Sequence, residues 1–146
     1  LDVEFVEVVS RLAEDLGLGE RVCFTGPLTD ADLDRAYAGA DALVLASRAE
    51  TYGMVVTEAL ARGLPVVATK VGGVPEALGH AADGSRPGML VQRGEPQALA
   101  QALSRWLGSP RERARLRAAA RSRRQTLSGW DQTARELSAV LAEVTG

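Results

Sequence analysis

The sequence is poor in most of what advertises a chemistry at first sight. Its 146 residues include one cysteine, one histidine and only 4% aromatics. A single cysteine excludes an intrachain disulfide, and no grouping of His, Cys and acids has the spacing of a zinc site. His80 stands in a polar stretch without the acid, serine or cysteine pattern that nucleophilic chemistry would need, so it reads as a loop residue. No run approaches the roughly eighteen consecutive apolar residues of a membrane-spanning helix, and no basic segment leads into an apolar one at the N-terminus. A cytoplasmic protein is the expectation. Neither Gly-x-x-x-x-Gly-Lys nor Gly-x-Gly-x-x-Gly occurs, which removes two familiar phosphate loops. With 46% hydrophobic residues the chain can still bury a core, and one domain over 1–146 is expected.

The formal charge of -2 hides an uneven distribution. Between Arg105 and Arg124 eight arginines stand against one acid, Glu112. Such runs are most often solvated faces. The other reading is attraction to an anionic membrane surface through Arg111 to Arg124, which would hold the protein peripherally at the inner face of the membrane. Nucleic acid is not expected, because no aromatics interleave the run. The sequence opens at Leu1 within a helical pattern, so it reads as a fragment.

Val3, Phe5, Val6, Val9, Leu12, Ala13 and Leu16 recur at helical spacing, and Gly17 and Gly19 end that helix. Residues 21–25 form a short apolar segment read as a buried strand, with Cys23 packed as a small hydrophobe. Thr29 can cap a helix over 30–38, and 42–46 reads as a second apolar strand. A helix over 54–62, a strand over 65–69, a short helix over 75–78 and a strand over 88–91 follow. Ala98, Leu99, Ala102, Leu103 and Trp106 make a helical stripe, and Ser109-Pro110-Arg111-Glu112 is a capping box that starts another helix at Pro110. A further cap at 128–131 opens a last helix with Trp130 inward. Strands apolar on both faces, alternating with helices, predict an α/β fold: a Rossmann-like parallel sheet with helices on both faces.

In such sheets ligands bind beyond the carboxyl ends of the strands, which directs attention to the loops over 26–30, 47–53, 70–74 and 92–95, the second being the richest. There Glu50-Thr51-Tyr52-Gly53-Met54-Val55-Val56-Thr57-Glu58 sets one carboxylate at a strand end and another a turn into the next helix. Gly53 admits a ligand close to the backbone, and the amides of Gly53, Met54 and Val55 at the helix start suit a diphosphate. The carboxylates can accept hydrogen bonds from vicinal hydroxyls, which points to a ligand with both phosphates and sugars. Equally open from spacing alone is that Ser47 and Glu50 make a capping box and that Glu58 is a solvated helix residue. Gly72 and Gly73, ahead of Pro75, offer a second anion-friendly loop after the next strand.

Residues 50–69, together with Gly72-Gly73-Val74-Pro75-Glu76, resemble the C-terminal domain of GT-B-fold retaining glycosyltransferases of family 4, the glycosyl transferases group 1. The likeness reaches back through Val22-Cys23-Phe24-Thr25-Gly26 and forward through Gly88-Met89-Leu90-Val91 and the helix at Trp130. It implies a nucleoside-diphosphate-sugar donor, no required metal or other cofactor, and retention of configuration, with a glycan or lipid-linked acceptor held by an N-terminal domain. Carried over, Glu50 takes a catalytic place at the donor sugar's hydroxyls, the amides of Tyr52, Gly53, Met54 and Val55 meet sugar and phosphates, and Glu58 meets the ribose. Gly72 and Gly73 join the donor site, and Leu28 flanks the base. Thr51-Tyr52 replaces the usual Gly-Phe. The family's cationic Arg and Lys for the leaving diphosphate lie upstream of Leu1; Arg48 and Lys70 occupy suitable loops, though loop cations are usually solvated. The resemblance thus implies an incomplete domain, inactive alone. Its 21–25 strand would need a rearranged sheet, strands borrowed in an oligomer, or a segment outside the sequence. Rivals are another GT-B enzyme such as a nucleotide-sugar epimerase, and a non-catalytic nucleotide-binding or interaction module.

Overall fold

The apolar spacing at the start of the chain becomes helix α1, Val3–Asp15, in a computed structural model that describes residues 3–127. Gly17, at φ 67°, closes it. The amides of Leu18 and Gly17 return to the carbonyls of Ala13 and Glu14, the paired bonds of a left-handed glycine stop. The stripe divides between two faces: Val6 and Val9 are half-buried and Ala13 is buried, whereas Phe5, Leu12 and Leu16 are exposed. A single 3-10 turn, Gly19–Arg21, follows.

Residues 22–26 then run without strand pairing, and Cys23 is exposed. The buried strand expected over 21–25 is therefore not formed. Val22 does have extended backbone, at φ -110° and ψ 121°. What is lacking is a neighbouring strand: the sheet contains no member from this stretch, and an apolar segment without ladder partners stays open to water. Helix α2, Asp30–Ala38, comes next, its first bonds taken by the carbonyl of Thr29.

The chain divides into two compact units, Leu1–Ala36 and Tyr37–Gly146. In the second, strands β1 (Leu43–Leu45), β2 (Val66–Thr69) and β3 (Gly88–Val91) form a parallel sheet in the order β1-β2-β3. Leu43 pairs with Val66, and Val66 with Gly88. Central β2 is buried at every residue, as a strand apolar on both faces must be, whereas Val44 on the edge strand β1 is exposed. Helices α3 (Met54–Ala61), α4 (Val74–Leu78), α5 (Pro96–Gly108) and α6 (Pro110–Arg124) complete the unit. Val56 and Leu60 of α3, Val66 and Val67 of β2, Val74 and Leu78 of α4, and Leu116 of α6 are buried almost completely and form its core.

The α5 to α6 corner follows its sequence signals closely. Ser109 has extended backbone, its hydroxyl accepts from the Glu112 amide at 3.2 Å, and Pro110 occupies the first turn. Arg113 donates to the carbonyls of Trp106 and Leu107, satisfying acceptors that the end of α5 leaves open. Trp106 is buried, as its spacing predicts. The cap at 128–131 and the helix at Trp130 lie outside the described residues.

Leu116 is fully buried, so Leu116→Ala is expected to cost about 3 kcal/mol. Loss of the cap in Ser109→Ala is expected to cost about 1 kcal/mol. Urea unfolding of the two variants beside the parent measures both.

Candidate functional site at the carboxyl ends of the strands

The chain leaves β1 through residues 46–53 and turns into α3 at Gly53. Gly53 is the N-cap in left-handed geometry, φ 70°, and no side chain caps the helix. The Ser47 and Glu50 capping box therefore does not start α3. The Ser47 carbonyl instead accepts from the Thr69 hydroxyl at 2.6 Å, tying the end of β1 to the end of β2. The Glu50 carboxylate folds back on its own loop: Oε1 accepts from the amides of Thr51 at 3.1 Å and Gly53 at 3.3 Å. Gly53 N–H, expected to be available for a phosphate, is thus already engaged, because the carboxylate three residues earlier reaches it first. The first helical bonds come from the amides of Val56 and Thr57 to the Gly53 carbonyl. The amides of Met54 and Val55 lie ahead of that ladder and carry the positive end of the helix dipole.

The second glycine loop explains how this turn is held. Gly73 N–H donates to the Glu50 carbonyl at 3.3 Å, so two strand-end loops touch backbone to backbone. A Cβ on Gly72, at φ 44°, would lie 1.6 Å from the Glu50 carbonyl oxygen, and one on Gly73 would lie 2.6 Å from that of Thr51. From the other side, a Cβ on Gly53 would meet the Ala77 Cβ at 2.9 Å. The three glycines place the loops by letting their main chains approach.

Around this junction the structure brings together residues that the sequence keeps far apart. Arg48, Glu50, Lys70, Gly72, Gln92 and Arg93, from the loops after all three strands, line one cleft of about 500 Å³. Arg93 also donates to the Arg48 carbonyl at 3.3 Å, linking the first and third loops. Arg93 and Gln92 carry no motif; the sequence places them in a loop at a strand's carboxyl end, and the strand order brings that loop beside the other two. Tyr52 and Met54 are 76% and 61% exposed, and so open to a ligand, while Val55 is half-buried. Leu28 stands half-exposed in the loop before α2, within the first unit.

Glu58 is not a simple solvated helix residue. The Tyr37 hydroxyl donates to its Oε2 at 3.1 Å, and the Arg62 guanidinium lies over the Tyr37 ring, 4.4 Å from its centre. Burial, followed by the bond to Glu58, raises the Tyr37 phenol above its ordinary pKa, and Arg62 opposes the shift. The phenol therefore stays neutral and donating at physiological pH. Among the described residues no three His, Cys, Asp or Glu come together as a metal cluster.

Several α6 arginines have partners inside the second unit. Arg115 pairs with Glu112 at 2.9 Å, and Arg117 pairs with Asp41. Arg123 lies across Gly79, where a Cβ would meet its guanidinium at 2.9 Å. Arg113, Arg117 and Arg123 are thus part of the unit's packing, whereas Arg111, Arg115, Arg121 and Arg124 are exposed.

The sequence pattern described as Glycosyl transferases group 1 matches residues 2–123 of this chain. The chain belongs to that family. This group 1 member is 39% identical over 128 residues to the D-inositol 3-phosphate glycosyltransferase of Streptomyces griseus, a match that covers 88% of the chain and 26% of that relative. Among solved structures it resembles sucrose-phosphate synthase from Thermosynechococcus elongatus, with TM-score 0.78 and 31% identity over 94% of this chain and 33% of that one. It also resembles Anabaena HepE in complex with UDP, with TM-score 0.81 and 26% identity over 97% of this chain and 38% of that one. These neighbours are GT-B glycosyltransferases, and the chain corresponds to the C-terminal part of them. It spans roughly a quarter to two fifths of these three proteins.

Two outcomes follow from this geometry. Gly72→Ala must separate the two loops and adopt positive φ, so it is expected to destabilise the chain by about 2–3 kcal/mol, read by thermal unfolding. Because the folded Tyr37 pKa lies above the ordinary 10.0, its contribution to stability is fully present below pH 10.0 and is lost as pH rises through the folded value. An alkaline absorbance titration should show a phenolate transition above 10.0 that Tyr37→Phe removes.

Proposed function

We propose that this chain is the donor-binding part of a retaining family 4 glycosyltransferase. It grips a nucleoside-diphosphate sugar for transfer to a glycan or lipid-linked acceptor, which a further domain supplies. The observation that carries the reading is the start of α3. The Met54 and Val55 amides lie ahead of the helical ladder, Glu50 lies before them, and Glu58 lies a turn beyond. Donors and dipole set between two acceptors suit a diphosphate flanked by sugar hydroxyls.

In this reading the diphosphate sits over the start of α3, held by the amides of Met54 and Val55. Glu58 accepts from the ribose hydroxyls. Glu50 faces the transferred sugar with the carboxylate oxygen opposite the one that holds its loop, so its place in catalysis is to orient the donor sugar. Exposed Tyr52 and the Gly72-Gly73 turn border the donor. Arg48, Lys70 and Arg93 lend positive potential to the cleft that Glu50 lines. A leaving diphosphate needs cations placed on its developing charge. Exposed loop cations answer that need weakly, so the 146-residue chain binds donor without turning it over, and binding requires no metal. The complex of the structural neighbour with UDP supports the choice of nucleotide.

Titration calorimetry with UDP tests the reading. Weak binding that persists in EDTA and falls about tenfold in Glu58→Ala is expected, the loss of a hydrogen bond to a charged acceptor. No binding by the parent chain would favour a non-catalytic interaction module.

A further inference from the structure

Glu58 is the only acid of the proposed donor site that a buried side chain from another helix holds, and its holder lies 21 residues earlier in the sequence. Tyr37, in the last turn of α2 and at the start of the second unit, is only 8% exposed. Its hydroxyl spends its single proton on Glu58 Oε2 at 3.1 Å. Arg62, one turn beyond Glu58 on α3, covers the Tyr37 ring and donates to the Glu58 carbonyl at 3.2 Å. The guanidinium thus covers one face of the tyrosine ring, and the ring's hydroxyl fixes one oxygen of the acid.

A glutamate on a helix surface ordinarily samples several rotamers, and ordering it has an entropic cost that a ligand would have to meet. A carboxylate has two oxygens and about four lone-pair sites. With Oε2 fixed by Tyr37, Oε1 is left in one orientation, able to accept from both members of a vicinal diol. We propose that Tyr37 is a positioning residue for ribose recognition: by anchoring Glu58 it makes the site select ribonucleotides over deoxyribonucleotides. The inference rests on the donor reading given above. Tyr37 touches no ligand and acts through Glu58 alone, with Arg62 holding the ring in place.

A purely structural tyrosine would change stability, or would scale every affinity equally. A positioning tyrosine changes a ratio. Calorimetric titration of UDP and its deoxyribose counterpart against the parent chain, Tyr37→Phe and Glu58→Ala reads that ratio, and any partial unfolding cancels within each variant. The parent is expected to prefer UDP by about tenfold, the scale of a hydrogen bond to a charged acceptor. Tyr37→Phe should cut the preference to about twofold while leaving the affinity for the deoxy ligand unchanged, and Glu58→Ala should abolish it. A Tyr37→Phe variant that keeps the parent's full preference while Glu58→Ala loses it would overturn this inference and leave the donor reading standing. A parent that does not bind UDP, or a preference untouched by Glu58→Ala, would overturn the donor reading itself and the inference with it.

Discussion

The contact on which the site depends is the meeting of two main chains at the ends of β1 and β2. Gly73 donates to the Glu50 carbonyl, and Gly72 passes so near that oxygen that a Cβ would overlap it. Because the second loop carries no side chain at the crossing, both strand ends can turn into helices side by side. Helices α3 and α4 then pack from a common origin, with Val56, Leu60, Val74 and Leu78 in one core. Dispersion and apolar burial stabilise that core, but the glycines decide where its upper edge lies.

From that edge the chemistry descends in order. Glu50 folds onto the amides of Thr51 and Gly53 because Gly53 turns at positive φ, bringing its N–H back toward the carboxylate. One acid is thereby a brace for the loop as well as a ligand group. Glu58, deeper along α3, is braced by Tyr37. The two acids are held differently: one by its own backbone neighbours, the other by a side chain from another helix. Local bonds order a loop only as far as the loop itself is ordered, whereas a buried phenol ties an acid to the core.

Among the described residues the sheet has β1 as one edge. The exposed Val44 of β1, and the unpaired run at 22–26 with Phe24 and Cys23 open, are what apolar strand sequences look like without neighbours. Apolar character makes a stretch able to be a strand; pairing makes it one. The same reasoning covers α1, where a sequence stripe broad enough for two contacts is buried on one side only.

Much was legible in the residues because local physics wrote it. Alternation of apolar strands and helices predicted the parallel sheet, Gly88–Val91 appears with the bounds expected, and Ser109 with Pro110 starts α6 as its capping chemistry requires. The acid pair and the glycines around α3 drew attention to the strand end where the loops after β1 and β2 meet. Other features arise only when distant segments meet. The sequence alone determined which stretches could be helix or strand and which loop was rich in donors and acceptors, since those depend on neighbours within a few residues. Tertiary structure decided that 22–26 goes unpaired, that Gly53 N–H is taken by Glu50, that Arg93 joins the cleft, and that Tyr37 reaches Glu58. Each of these is a contact whose partner is set by how the chain returns in space, and no spacing along the sequence encodes that return.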